Sequence, residues 1–245
     1  MQTTKLQEVV AIIDRSGSMF GKEADTIGGI NVMLNELKEK KSENEEINVS
    51  IKLFDHEEIL LHKSKNIDQV ENLRKEDFLP RGQTALLDAI GTTLAHFMEK
   101  KLIDNNAFNN CLIYIATDGM ENASKIYTRE KIKKMINTAK TEYNIDVLYL
   151  GANQDAILEA ASIGIHERSS INYSETADCI KAVYRSAANV ANRSRSCDME
   201  PSFTQAERCA SQIDNKPPLI RRQTDIRLNK ELSPPIIHRS KTSIN

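Results

Sequence analysis

Apolar positions along the chain follow two alternating rhythms. Glu8 to Ile13 (EVVAII) is a continuous, largely β-branched run suited to a buried parallel strand. After a Ser/Gly turn the spacing changes, and Ile27, Ile30, Leu34 and Leu37 share one face of a helix from about Asp25 to Lys40. Ile47 to Phe54 alternates as a strand, the polar turn Asp55-His56-Glu57 follows, and Glu58 to His62 is its hairpin partner at a sheet edge. A long helix is predicted over Thr84 to Lys101, with Leu87, Ile90, Leu94 and Phe97 inward. Cys111 to Thr117 (CLIYIAT) is a second buried strand, Thr128 to Glu142 a lysine-faced helix and Asp146 to Leu150 a further strand. Asp155 to Ser162 gives a short helix, Ser169 to Tyr173 a weak last strand and Ala177 to Ala191 a closing helix. Strands separated by helices predict an α/β fold: a doubly wound, mainly parallel six-stranded sheet with helices on both faces. Ligands of such folds bind beyond the carboxyl ends of the strands, where strand order reverses, so the loops after strands are the place to look for chemistry.

Composition divides the chain near Arg193. Of the 6 prolines only Pro80 precedes residue 200, and beyond Arg193 the one aromatic is Phe203. Residues 193–245 carry ten Lys/Arg against six Asp/Glu, whereas residues 1–192 are acidic. The expected organisation is a folded domain over 1–192 and a basic, Pro-containing, mostly disordered tail over 193–245, with too little apolar surface to offset its ordering entropy. Within that tail Ser202 to Asp214 has near-helical apolar spacing, with Ser202 and Gln205 as a capping box, and is expected to be a transient helix. The whole chain of 245 residues has a net charge of -2, which speaks against a nucleic-acid partner. No apolar run approaches the length of a membrane span, and no export signal is evident at Met1 to Gln7. The 4 cysteines lack a C-x-x-C pair and are expected to be free thiols, so the expected location is the cytoplasm.

The chemistry concentrates in three of the loops. After the first buried strand comes Asp14-Arg15-Ser16-Gly17-Ser18-Met19, with a carboxylate and two hydroxyls on alternate residues of a tight turn. After the strand Cys111 to Thr117 stands Asp118-Gly119, and Thr84 opens the long helix from the loop Arg81-Gly82-Gln83. Oxygen donors of this kind suit a hard divalent cation. Each piece also has an ordinary reading: a turn and helix cap for Ser16 to Ser18, a turn signal for Asp118-Gly119 and an N-cap for Thr84. Their joint placement at the ends of two buried strands and a helix start favours a single site.

The set resembles the metal-ion-dependent adhesion site of von Willebrand factor A domains, a Rossmann-like family with the pattern D-x-S-x-S followed by a distant Thr and a distant Asp. Asp14, Ser16, Ser18, Thr84 and Asp118 match all five positions. The resemblance covers about residues 5–192, and Gly151-Ala152-Asn153-Gln154-Asp155 is similar to small stand-alone intracellular or phage-type members. It implies that Ser16 and Ser18 bind Mg²⁺ or Mn²⁺ directly, Thr84 directly in the engaged state, and Asp14 and Asp118 largely through water. A protein partner's Asp or Glu would complete the shell.

Rival readings fit less well. A P-loop over Gly17 to Lys22 has one residue too few between its glycines, and Glu23 stands where the Mg²⁺-binding hydroxyl belongs. A Mg²⁺-dependent phosphohydrolase resembling the haloacid dehalogenases would place a second acid where Ser16 stands. The histidines His56, His62, His96, His166 and His238 pair with no nucleophile, and the chain is expected not to be an enzyme. A third reading keeps the fold as a scaffold that acts through its tail.

Overall fold

The computed structural model describes residues 5–152, 156–196 and 200–212. Its strands are β1 (Lys5–Asp14), β2 (Glu45–Phe54), β3 (Glu58–Asn66), β4 (Asn110–Thr117), β5 (Ile145–Gly151) and β6 (Ser170–Asn172). Its helices are α1 (Glu23–Glu39), α2 (Leu86–Ile103), α3 (Arg129–Tyr143), α4 (Ala156–Ser162), α5 (Ala177–Ser196) and α6 (Gln205–Ala210). The strands form one sheet in the order β3-β2-β1-β4-β5-β6, parallel except for the edge strand β3, which pairs antiparallel with β2. The doubly wound α/β architecture is the one the apolar rhythm predicts.

Both faces of the sheet are covered, which is why the central strands read as continuous apolar runs. In β1, Val9, Ala11 and Ile13 join the core beneath α1 and α5, while Val10 and Ile12 join the core beneath α2, α3 and α4. Helix α3 starts at the Thr128 cap, whose hydroxyl accepts from the Lys131 N–H. It stops at Asn144, in the left-handed conformation. No helix among the described residues is long and apolar enough to cross a membrane.

Three elements depart from the sequence reading. β3 runs to Asn66, four residues past His62, because Ser64 (φ 41°) makes a bulge whose N–H donates to Ser50 Oγ at 2.8 Å. Helix α5 continues past Ala191 to Ser196, and its last turn is fixed by Arg195, buried and bonded to Gln7 Oε1 at 2.7 Å and Glu45 Oε2 at 3.2 Å. The third concerns the domain boundary drawn at residue 192. Residues 200–212, assigned above to a disordered tail, pack on the body. Phe203 is buried, and the Arg193 guanidinium donates two bonds to Glu207, at 2.8 and 2.9 Å. The capping box is Thr204 with Glu207, not Ser202 with Gln205, and Ala206 and Ala210 face solvent. The inward face of α6 is polar because it serves the sheet edge. Arg208 donates to the Ser170 carbonyl at 2.7 Å and Ser211 Oγ to the Asn172 carbonyl at 2.8 Å, so both satisfy the outward carbonyls of β6. An apolar tally cannot detect a segment held this way. The remainder of the proposed tail, and Asn153 to Asp155, lie outside the described residues.

Candidate metal centre

Strand order reverses between β1 and β4, and the crevice at their carboxyl ends receives both acids found in the sequence. Asp14 ends β1 with no exposed surface. Its Oδ1 accepts the Ser16 N–H at 2.7 Å and its Oδ2 accepts the Thr117 hydroxyl at 2.6 Å. These bonds fold the following residues into a single 3-10 turn, Gly17–Met19, with Met19 turned into the core. Ser16 Oγ and Ser18 Oγ then lie 3.1 Å apart, and Ser18 Oγ donates to Asp118 Oδ1 at 2.6 Å. Lys22 reaches the second oxygen of Asp118 at 2.5 Å and Glu175 at 2.6 Å.

Thr84 arrives from a loop stitched to this turn. The Gly17 N–H donates to the Gly82 carbonyl at 3.1 Å, and the Arg81 N–H to the Arg15 carbonyl at 2.8 Å. Gly82 has φ 70° and its Cα lies against the His56 ring, a position closed to any residue with a Cβ. Beneath the loop, buried Asp55 sits between Arg15, at 2.9 Å, and Arg81, at 3.0 Å.

Thr84 is not the helix cap that the sequence suggested. Helix α2 begins two residues later, and its first N–H groups are satisfied from the loop after β4: Leu87 donates to Glu121 and Asp88 to Ser124 Oγ. The Thr84 N–H donates to Asn122 Oδ1 at 2.9 Å, and Asp88 returns the clamp by accepting the N–H groups of Lys125, Ile126 and Tyr127. The Thr84 hydroxyl is thereby left to face the crevice. Arg15, Asp55, Asp88, Glu121 and Asn122 were all missed by the sequence reading. Nothing in the apolar spacing marked them, since their roles are polar contacts between loops and the start of α2.

All five predicted residues meet at one point. A Cβ built on Gly119 would stand 3.2 Å from Thr84 Oγ1, 3.3 Å from Ser18 Oγ and 3.6 Å from Asp14 Oδ2, so oxygens from the end of β1 and its turn and from the loop before α2 meet against the backbone of the loop after β4. Ser16, Thr84 and Asp118 are buried, and Ser18 is exposed at the mouth. Burial pushes the Asp14 carboxyl up, as does the charge of Asp118, and the bonds from Thr117 and Ser16 offset this only in part. Two carboxylates and three hydroxyls, with no nitrogen or sulfur donor, fit a hard divalent cation that would relieve that buried negative charge. A second group, Asp55, His56 and Glu57, also brings potential ligand atoms within 4.8 Å of one another. There, however, Asp55 is balanced by Arg15 and Arg81, and Glu57 is paired with Arg81.

No protein-family model matches the chain, and no curated protein does. Solved structures do match, and they show the fold of von Willebrand factor A domains. The von Willebrand factor type A protein from Catenulispora acidiphila is 13% identical with a TM-score of 0.56, over 77% of this chain and 43% of that one. The vWF domain of the type V pili tip protein Mfa5 from Porphyromonas gingivalis is 13% identical with a TM-score of 0.53, over 83% of this chain and 99% of that one. Proximal thread matrix protein 1 from the mussel byssus, with a zinc-occupied MIDAS motif, is 14% identical with a TM-score of 0.51, over 77% and 46%. The chain spans less than half the length of the first and third of these.

Proposed function

We propose that this protein is a divalent-metal-dependent protein-binding module in which Asp14, Ser16, Ser18, Thr84 and Asp118 hold Mg²⁺ or Mn²⁺ and a partner's Asp or Glu completes the coordination shell. The observation that carries this reading is the convergence of the Asp14, Ser18 and Thr84 oxygens beside Gly119, with Asp118 joined to them through the Ser18 hydroxyl. The zinc-occupied motif of the byssus protein supports divalent-metal binding by this fold. An all-oxygen donor set favours Mg²⁺ or Mn²⁺ here over zinc, which prefers nitrogen and sulfur.

When bound, the cation supplies a directional acceptor for a carboxylate. The three hydroxyls are neutral and leave its charge largely uncancelled, while Asp14 and Asp118 position the two serines: Asp14 through the Ser16 N–H, Asp118 through the Ser18 hydroxyl. A phosphohydrolase would need a carboxylate free to attack, and Asp14 is buried with both oxygens engaged. The three described cysteines are unpaired, which suits a reducing compartment and a cytoplasmic location.

The test is a Mn²⁺ titration followed by electron paramagnetic resonance, with Mg²⁺ as competitor, paired with affinity capture in Mg²⁺ and in EDTA. One Mn²⁺ site, lost in Ser16→Ala/Ser18→Ala, and a protein partner retained only with metal are expected. Unchanged Mn²⁺ binding in that variant, or the same partners in EDTA, would refute the proposal.

A further inference from the structure

The fold leaves large apolar side chains uncovered in the loops that carry the candidate ligands. Phe20, two residues past Ser18, is 80% exposed; Met120, two past Asp118, is 74% exposed; Leu79, in the loop leading to Thr84, is 64% exposed. Each loop that brings a ligand to the crevice therefore also carries at least one large apolar residue in water. Packing does not account for them, since neighbouring Met19 and Phe78 fill the core and leave Phe20 and Leu79 outside. Met120, together with Ser16, Ser18, Thr84 and Asn122, lines a shallow depression of about 250 Å³. Single exposed apolar residues are commonplace, but Met120 in the lining of the depression and Phe20, whose N–H donates to the carbonyl of the lining residue Gly17, flank one polar centre and have the make-up of an interface, where aromatic and Met side chains are enriched.

Resting on the metal-dependent reading above, we infer that the partner presents its carboxylate from a segment in which Asp or Glu has large apolar neighbours within two or three residues, and that these pack on Phe20 and Met120. Two physical needs point this way. A metal-bound carboxylate in open solvent exchanges readily with water, and an apolar ring excludes that water and strengthens the contact. Acidic side chains are also abundant on every protein, so the metal alone cannot discriminate, and the apolar neighbours supply the selectivity.

The experiment is selection of a displayed random-peptide library on the full chain in Mg²⁺ and in EDTA, followed by affinities of synthetic selected peptides. It is run on the wild type and on Phe20→Ser/Met120→Ser, whose exposed positions leave the core intact, as an unchanged melting curve would verify. The expected peptides carry an acid with apolar residues close by and bind only with Mg²⁺. Replacing their apolar neighbours by Ser should weaken binding to the wild type about tenfold or more, and should change binding to the double variant far less. Metal-dependent acidic peptides without apolar neighbours, or equal losses on both proteins, would overturn this inference and leave the metal reading standing. Peptides bound equally well in EDTA, or none that need Mg²⁺, would remove the metal reading and the inference with it.

Discussion

Replacing Asp14 by Asn separates the cost of the buried charge from its use. The amide can keep the local hydrogen bonding: its oxygen accepts the Ser16 N–H, now 2.7 Å from Oδ1, and its nitrogen donates to Thr117 Oγ1. The Thr117 hydroxyl then turns to the Gly119 carbonyl, already 3.2 Å away. No hydrogen bond is lost, and a desolvated carboxylate beside Asp118 is gone. Burial raises the Asp14 carboxyl, so the folded chain holds a proton there more readily than the unfolded one, and its charge opposes folding at neutral pH. In EDTA the variant should therefore melt at the wild-type temperature or above it, within about 1 kcal/mol. With metal the order reverses. Each tenfold rise in Mg²⁺ above the dissociation constant adds about 1.4 kcal/mol to the wild type, roughly 3–6 °C for a chain of this size, while the variant's melting temperature stays flat. Differential scanning fluorimetry across a Mg²⁺ series measures both. A variant that melts several degrees lower in EDTA, or that keeps the wild-type Mg²⁺ slope, would refute the reasoning.

Other perturbations test the supporting shell. Asp55→Ala leaves Arg15 buried without its counter-charge and should cost about 3–5 kcal/mol, read from urea unfolding; a loss under 1 kcal/mol would show the pair to be dispensable. Lys22→Met removes a cation that engages Asp118, and should raise Mn²⁺ affinity severalfold by calorimetric titration; a decrease would mean that Lys22 positions Asp118 for the metal. Burial raises the Glu207 carboxyl, but bonds from Arg193 and Thr204 outweigh it and hold it below the ordinary carboxylate range. Its folded value lies below its unfolded one, so its contribution, about 1–2 kcal/mol, is present above the ordinary range and fades as pH falls through the lowered value. The stability gap between wild type and Glu207→Gln should be constant near neutrality and close in acid; a gap that widens as pH falls would contradict this.

The strands and helices were legible because burial on both faces forces continuous apolar runs, and the switch from β1 to α1 is written in the spacing of Ile27, Ile30, Leu34 and Leu37. The five candidate residues were legible because topology alone brings Asp14 and Asp118, at the ends of neighbouring strands, together, with the hydroxyl residues in short motifs of the adjoining loops. What holds them was not. Asp55 bridges Arg15 to Arg81, and Asp88 with Glu121, Asn122 and Ser124 ties the start of α2 to a loop more than 30 residues away. Such polar contacts have no periodicity, and their partners are set by the finished fold. The segment 200–212 escaped for a related reason, since it is secured by bonds to backbone carbonyls that exist only once β6 has formed.

That segment gives the protein a birth order. Ser211, which satisfies the Asn172 carbonyl, lies 39 residues after it, so at 5–20 residues per second the ribosome needs about 2–8 s to deliver it. During that interval the nascent sheet has β6 in place with an open flank, a template for pairing with a neighbouring chain. Products that stop short of residue 200 would lack Arg208 and Ser211 and keep the β6 carbonyls open for good.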